Sequence, residues 1–196
     1  VNKMETKNIL IVGVGGQGTL LTSRIIGDVA VRKGYDVKMS EVHGMAQRGG
    51  SVVTHVRYGK KVYSPLVEEG TCDILLAFEK LEALRWIHFL KEDGIIIVNN
   101  QEINPMPVIT GAAQYPTDII QRIQRACKQA YILDALSIAK ALGNIKVVNT
   151  VLLGVLAKHL GLEKSDWEEA IERTVPPKTV ELNKKAFLTG YESEIK

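Results

Sequence analysis

The chain has 196 residues, 45% of them hydrophobic, with a formal charge of +3. Such a length fits one domain with a sizeable core, expected over 1–196, and the dispersed basic residues form no block suited to nucleic acid. No apolar run reaches the roughly 18–20 residues of a membrane span. The polar start VNKMETKN lacks a signal-peptide core, so the cytoplasm is the expected compartment, without a membrane partner.

The run 8–14 (NILIVGV) is short, branched and closed by glycine, and reads as a buried strand. From Gly16 to Arg32, Leu20, Leu21, Ile25, Ile26 and Val29 recur at helical spacing, and Gly34 supplies a stop. YDVKMSE (35–41) alternates as a second strand and completes a β-α-β unit. Glycines at 44, 49 and 50 then mark a loop. The stretch 51–58 alternates like a strand, with 59–64 as its hairpin return. Further buried strands are expected at 72–79 and 94–100, separated by a helix at 80–90.

The prolines of NPMPVITG (104–111) predict a loop or a sheet edge. A helix is expected at 117–127 and a strand at 130–135. The last third reads as helical. One helix spans 149–161 with Asn149 or Thr150 as its cap, and one spans 165–175 behind a Ser165-x-x-Glu168 capping box. A final helix opens at Pro176 and Pro177 and places Val180, Leu182 and Phe187 inward. The expected fold is α/β: a Rossmann-like layered fold with a mostly parallel sheet, an antiparallel hairpin addition and a helical C-terminal third.

GVGGQG at 13–18 fits G-x-G-x-x-G through Gly13, Gly15 and Gly18. In that pattern the first glycine turns the chain, the second admits a ligand to the backbone, and the third lets helix and strand pack. Amides at a helix start attract phosphate. Glu41, 23 residues beyond Gly18, stands where an acidic residue would meet a ribose hydroxyl. The other account of these glycines is tight packing alone. Gly16-Gln17 also puts a polar amide where such turns often carry a small or apolar residue.

A second cluster, SEVHGMAQRGGS at 40–51, gathers Glu41, His43, Gln47 and Arg48 among Gly44, Gly49 and Gly50. Arg48 offers a planar fork for phosphate or carboxylate. Gly49 and Gly50 free the backbone to form an anion-binding concavity. The candidate binding set is therefore Gly13, Gly15, Gly16, Gln17, Gly18, Glu41, His43, Gln47, Arg48, Gly49 and Gly50. No catalytic residue stands out, and no metal site is expected. Cys72 and Cys127 read as core residues. They are too few for an iron–sulfur cluster, which takes about four thiolates. His55 and His88 read as structural, His159 as a partner for a helix end, and Asp73 and Glu79 as solvated. Met45, Trp86 and Phe89 are candidate interface residues.

GVGGQG together with EVHGMAQRGGSV (41–52) resembles the gamma-type small subunits of the 2-oxoacid:ferredoxin oxidoreductases, nearest to their indolepyruvate branch. The resemblance runs over essentially the whole chain, including NTVLLG (149–154) and VPPKTVELNKKAF (175–187). It implies a share in a reaction that turns an aryl pyruvate and coenzyme A into an aryl-acetyl-CoA, carbon dioxide and reduced ferredoxin. It also implies a large alpha-subunit partner that carries thiamine diphosphate and the iron–sulfur clusters. Here EDG (92–94) and NN (99–100) are too close together for the thiamine diphosphate signature, and the first glycine is missing. Coenzyme A is a possible contact, its ADP and pyrophosphate suiting the glycine turn and Arg48. Sister enzymes for pyruvate or 2-oxoglutarate share both motifs. An independent NAD(P)-binding reductase and a ligand-free structural subunit are the remaining alternatives.

Overall fold

The computed structural model describes residues 5–44 and 49–195. Six strands form one sheet: β1 (Lys7–Val14), β2 (Asp36–His43), β3 (Ser51–Gly59), β4 (Cys72–Ala77), β5 (Leu90–Asn99) and β6 (Gln129–Leu133). Their order is β2-β3-β1-β4-β5-β6. β1, β4, β5 and β6 pair in parallel. β3 runs against both neighbours, β1 and β2. The expected α/β architecture with a mostly parallel sheet is present.

The antiparallel strand differs in place and partner from the expected hairpin addition. Residues 61–64 form no strand. β3 instead pairs with β2, from Asp36↔Gly59 to His43↔Val52, and wedges β2 away from β1. The cause is burial: Val52, Val53, Thr54, His55 and Val56 are all buried, so the strand needs a neighbour on each side.

Eight α-helices are described: α1 (Thr19–Arg32), α2 (Lys80–Trp86), α3 (Met106–Ile109), α4 (Ile119–Ala126), α5 (Ala135–Ala141), α6 (Val148–Ala157), α7 (Lys164–Thr174) and α8 (Val180–Glu192). Side chains alternate across each strand, so each face of the sheet has its own core. Ile9, Ile11, Ile74, Leu76 and Ile97 join α1 and α5–α8 on one face. Leu10, Val12, Leu75, Ile96 and Val98 join α2 and α4 on the other, with Cys72 among them. Trp86 and Phe89 pack against this second core. Met45 lies outside the described residues.

Several local expectations change. The helix expected at 80–90 stops at Trp86, and a 3-10 turn leads directly into β5 at Leu90. α5 was not foreseen; its cap is Asp134, which accepts a hydrogen bond from the Ser137 amide at 2.9 Å. Asn149 and Thr150 do not cap a helix. Both are buried inside α6, where Thr150 Oγ1 donates to Asn183 Oδ1 of α8 at 2.7 Å. The Ser165 box is not used either: α7 opens at Lys164 after Glu163, with no side-chain cap. His159 packs on Tyr131, and burial together with Lys158 lowers its pKa, the opposite of what a charged helix-end partner requires.

α6 and α8 meet backbone to backbone. A Cβ at Gly154 would stand 2.1 Å from the Phe187 carbonyl oxygen, and one at Gly190 would stand 2.0 Å from that of Val151. Glycine is required at both positions for this approach.

Candidate functional site

The site lies at the carboxyl end of β1, where the glycine turn leads into α1. Gly16 and Gly18 have φ of +100° and +87°, a region that favours glycine. Gly18 caps α1 through its backbone alone, with no side-chain cap. The first amides of α1 therefore face outward without an intrahelical acceptor. Gly18 packs against α6, where an added Cβ would meet Asn149 Nδ2 at 3.0 Å. It thus packs helix to helix, not helix to strand.

Gly13 sits at the end of β1, and a side chain there would strike Gln17 Oε1 at 2.9 Å and Phe78 at 3.0 Å. Gln17 points inward. Its Oε1 accepts from the Val14 amide at 2.7 Å, and its Nε2 donates to the Phe78 carbonyl at 3.1 Å. Asn99 Nδ2 donates to the same carbonyl and to Gln101 Oε1. β1 and β4 are neighbours whose helices pass to opposite faces. Between such strands an open parallel sheet forms its ligand crevice. Here the amides of Gln17, Asn99 and Gln101 tie the strand ends together, and Val14 and Glu79 line an open cleft beside them.

The open space lies to the side. A cleft of about 380 Å³ is lined by Gly15, Gly16, Gly18, Thr19, Leu20, Glu41, His43 and Val52. Both sequence clusters thus reach one cavity. Glu41 Oε2 accepts from Thr54 Oγ1 of β3 at 3.1 Å, across a register pair. His43 Nδ1 lies 3.1 Å from the Gly44 carbonyl. Because β3 intervenes, β2 stands two strand spacings, about 10 Å, from β1. A dinucleotide ribose held at the end of β1 would be too far from Glu41 for the usual acidic contact.

Two backbone hydrogen bonds join the clusters. The Gly15 amide donates to the Gly50 carbonyl at 2.9 Å, and the Gly49 amide donates to the Gly15 carbonyl at 3.4 Å. Gly49 and Gly50 line a second cleft, about 300 Å³, with Ser51, α2 and residues 103–109. Gln47 and Arg48 lie outside the described residues.

Sequence reasoning missed the wall of that second cleft. Glu79 is 1% exposed and not solvated. It accepts from the amides of Glu82 at 2.9 Å and Ile103 at 3.2 Å, and from the Tyr115 hydroxyl. Burial and the neighbouring carboxylate raise the Tyr115 phenol well above its usual range, so it stays a donor. Glu82, also buried, accepts from Ser51 Oγ at 2.5 Å and from Arg85 Nε at 3.2 Å. The position of Glu79, one residue before a helix-like run, was the available signal. Asp73 is likewise tied down, accepting from the Asn8 amide at 2.8 Å and pairing with Lys91. His55 is structural as expected, its Nδ1 accepting from the Val67 amide at 3.1 Å.

The sequence profile of the pyruvate ferredoxin/flavodoxin oxidoreductase family matches residues 8–193. A Thermococcus kodakarensis protein named indolepyruvate oxidoreductase subunit IorB is 41% identical over 95% of each chain. The gamma subunit of a keto/oxoacid ferredoxin oxidoreductase from Geobacter sulfurreducens is 27% identical, with a TM-score of 0.71 over 95% of this chain and 96% of that one. A Magnetococcus marinus 2-oxoglutarate:ferredoxin oxidoreductase, solved with 2-oxoglutarate, coenzyme A and succinyl-CoA bound, shares the fold. Its TM-score is 0.73 at 19% identity, covering 95% of this chain and 30% of that one.

Proposed function

The chain belongs to the pyruvate ferredoxin/flavodoxin oxidoreductase family, and on that premise we propose that it is the small subunit of an indolepyruvate-type oxidoreductase. The observation that carries this reading is the 41% identity, over 95% of both chains, to a protein named as a subunit of that enzyme. The reaction is CoA-dependent oxidative decarboxylation of an aryl pyruvate, with ferredoxin as electron acceptor. Residues 1–196 act as one gamma-type domain, and a large partner subunit carries thiamine diphosphate and the iron–sulfur clusters. The cysteines support that division of labour. Burial pushes the Cys72 thiol up to about 12, the reverse of what a thiolate ligand needs, and burial also raises Cys127.

This chain's own contribution is a hold on coenzyme A at the first cleft. The outward amides of the glycine turn and α1 suit a pyrophosphate, and Arg48 is the proposed charged neighbour. No helix is long and apolar enough to cross a membrane among the described residues.

Co-expression with the large subunit tests the assignment. The assembled pair should decarboxylate aryl pyruvates faster than pyruvate or 2-oxoglutarate. Activity of this chain alone would overturn it, and preference for a small 2-oxoacid would move the chain to a sister enzyme. Leu20, 43% exposed on the cleft wall, tests the hold on coenzyme A. Leu20→Trp should raise KM for coenzyme A in the complex without disturbing assembly.

A further inference from the structure

The second cleft opens at the carboxyl end of the sheet, beside the first. Much of its wall is carbon, from Leu81, Ile103, Pro105, Met106 and Ile109. Met106 and Ile109, one turn apart on α3, are each 64% exposed. Among the described residues only one large apolar side chain, Tyr63 at 88%, is more exposed. Carbon gathered in a cleft and left open to water, with a polar rim, marks a binding surface.

Charge around this cleft is already paired, with one exception. Glu79 accepts three hydrogen bonds, and the buried Glu82 accepts from Ser51 Oγ and Arg85 Nε. Lys80, at the start of α2, pairs with Glu102 at 3.2 Å. Arg85 lines the cleft with its side chain 52% exposed, and among the described residues it commits only Nε. Glu82 thus holds the guanidinium in place, while its terminal nitrogens keep a fork for a second carboxylate.

The position of the cleft selects its occupant. Gly49 and Gly50 line it, and both hydrogen-bond to Gly15, which lines the first cleft. Coenzyme A held at the first cleft has to bring its thiol to the large subunit, so that subunit must face this end of the sheet. A second copy of this chain seated here would stand between the two. We propose that the second cleft is the socket on which the large subunit docks. An apolar side chain of that subunit seats on Met106 and Ile109, and a neighbouring Asp or Glu engages the outer edge of Arg85. Glu82 and Ser51 act as positioning residues for the guanidinium. The inference rests on the small-subunit reading above, and it adds the face and the chemistry of the contact.

The test uses the purified two-subunit complex. The photo-crosslinker p-benzoylphenylalanine in place of Met106 should capture a large-subunit peptide that contains an acidic residue. The same crosslinker in place of Tyr63, beyond the opposite end of β3, should capture none. Dilution followed by sedimentation then gives the dissociation constant. Met106→Asp and Ile109→Asp should each raise it about tenfold, and both should leave the melting temperature of the small chain unchanged because the side chains are exposed. Arg85→Gln should raise it about tenfold and flatten its dependence on salt. Arg85→Lys, which keeps the charge without the fork, should retain that dependence. Capture of a peptide from a second copy of this chain overturns the proposal, as does capture at position 63 and not at 106. Dissociation constants within about twofold of the parent in all the cleft variants, well short of the tenfold change that a lost anchor brings, also overturn it. If the parent chain forms no complex with the large subunit, the small-subunit reading itself fails and the docking proposal falls with it.

Discussion

Gln17 shows how a side chain's direction decides its role. From sequence it reads as an unusual polar residue in a ligand-binding turn. In the fold it clips β1 to the end of β4 through Val14 and Phe78. Gln17→Ala would strand the Val14 amide and should lower stability by about 1–3 kcal/mol, measured by urea unfolding. A variant as stable as the parent would show that the clip is dispensable. His55 makes a different prediction. Its ordinary pKa is 6.5, and burial lowers it in the folded chain. Below 6.5 the unfolded chain therefore takes the proton more readily, so stability is complete above that pH and falls as pH drops through the window beneath it. Protonation also removes the acceptor for the Val67 amide. The melting temperature should fall from pH 7 toward pH 5, and His55→Asn, which retains an acceptor, should flatten part of that slope. An unchanged slope would assign the effect elsewhere. Asp36, Asp134 and Glu172, whose pKa values are lowered by hydrogen bonds from Lys38, Ser137 and Lys184 respectively, withdraw their contributions only at more acid pH.

At the scale of elements, β1, β4 and β5 were legible because each is an unbroken branched run that suits a strand buried on both faces. The placement of β3 was not. Alternation says that 51–58 is a strand but does not say which strands flank it, and pairing depends on the sheet as a whole. α5 was hidden because Asp134, its cap, was read as the tail of β6. Glu79 was read by residue type, although its carboxylate caps α2 and ties it to residue 103 and Tyr115. The α6–α8 seam leaves the least room for change. Gly154→Ala places a methyl where the Phe187 carbonyl stands, and overpacking of that kind should cost about 3 kcal/mol. Thermal unfolding of the variant checks this. A loss under about 1 kcal/mol would mean that the helices can separate freely.

For the whole molecule, the placement of two motifs around one cleft was legible, whereas the inward turn of Gln17 beside it was not. The glycine spacing is shared with dinucleotide-binding folds, but two features argue against that ligand here. Gln17 turns inward onto Val14 and Phe78, away from any ligand at the turn, and β3 carries Glu41 a further strand away. NADH titrated into the chain should therefore produce no saturable signal by fluorescence or calorimetry, and stoichiometric binding would favour the reductase alternative. The wedged strand has another consequence, for synthesis. β1 finds its two neighbours, β3 and β4, only when residues as late as 59 and 77 have been made. Until then Ile9, Leu10, Ile11 and Val12 leave the ribosome as an apolar strand with both edges open. Such a segment invites chaperone capture or self-association in the nascent chain. The strand at the heart of the sheet is also the one that must wait longest for company.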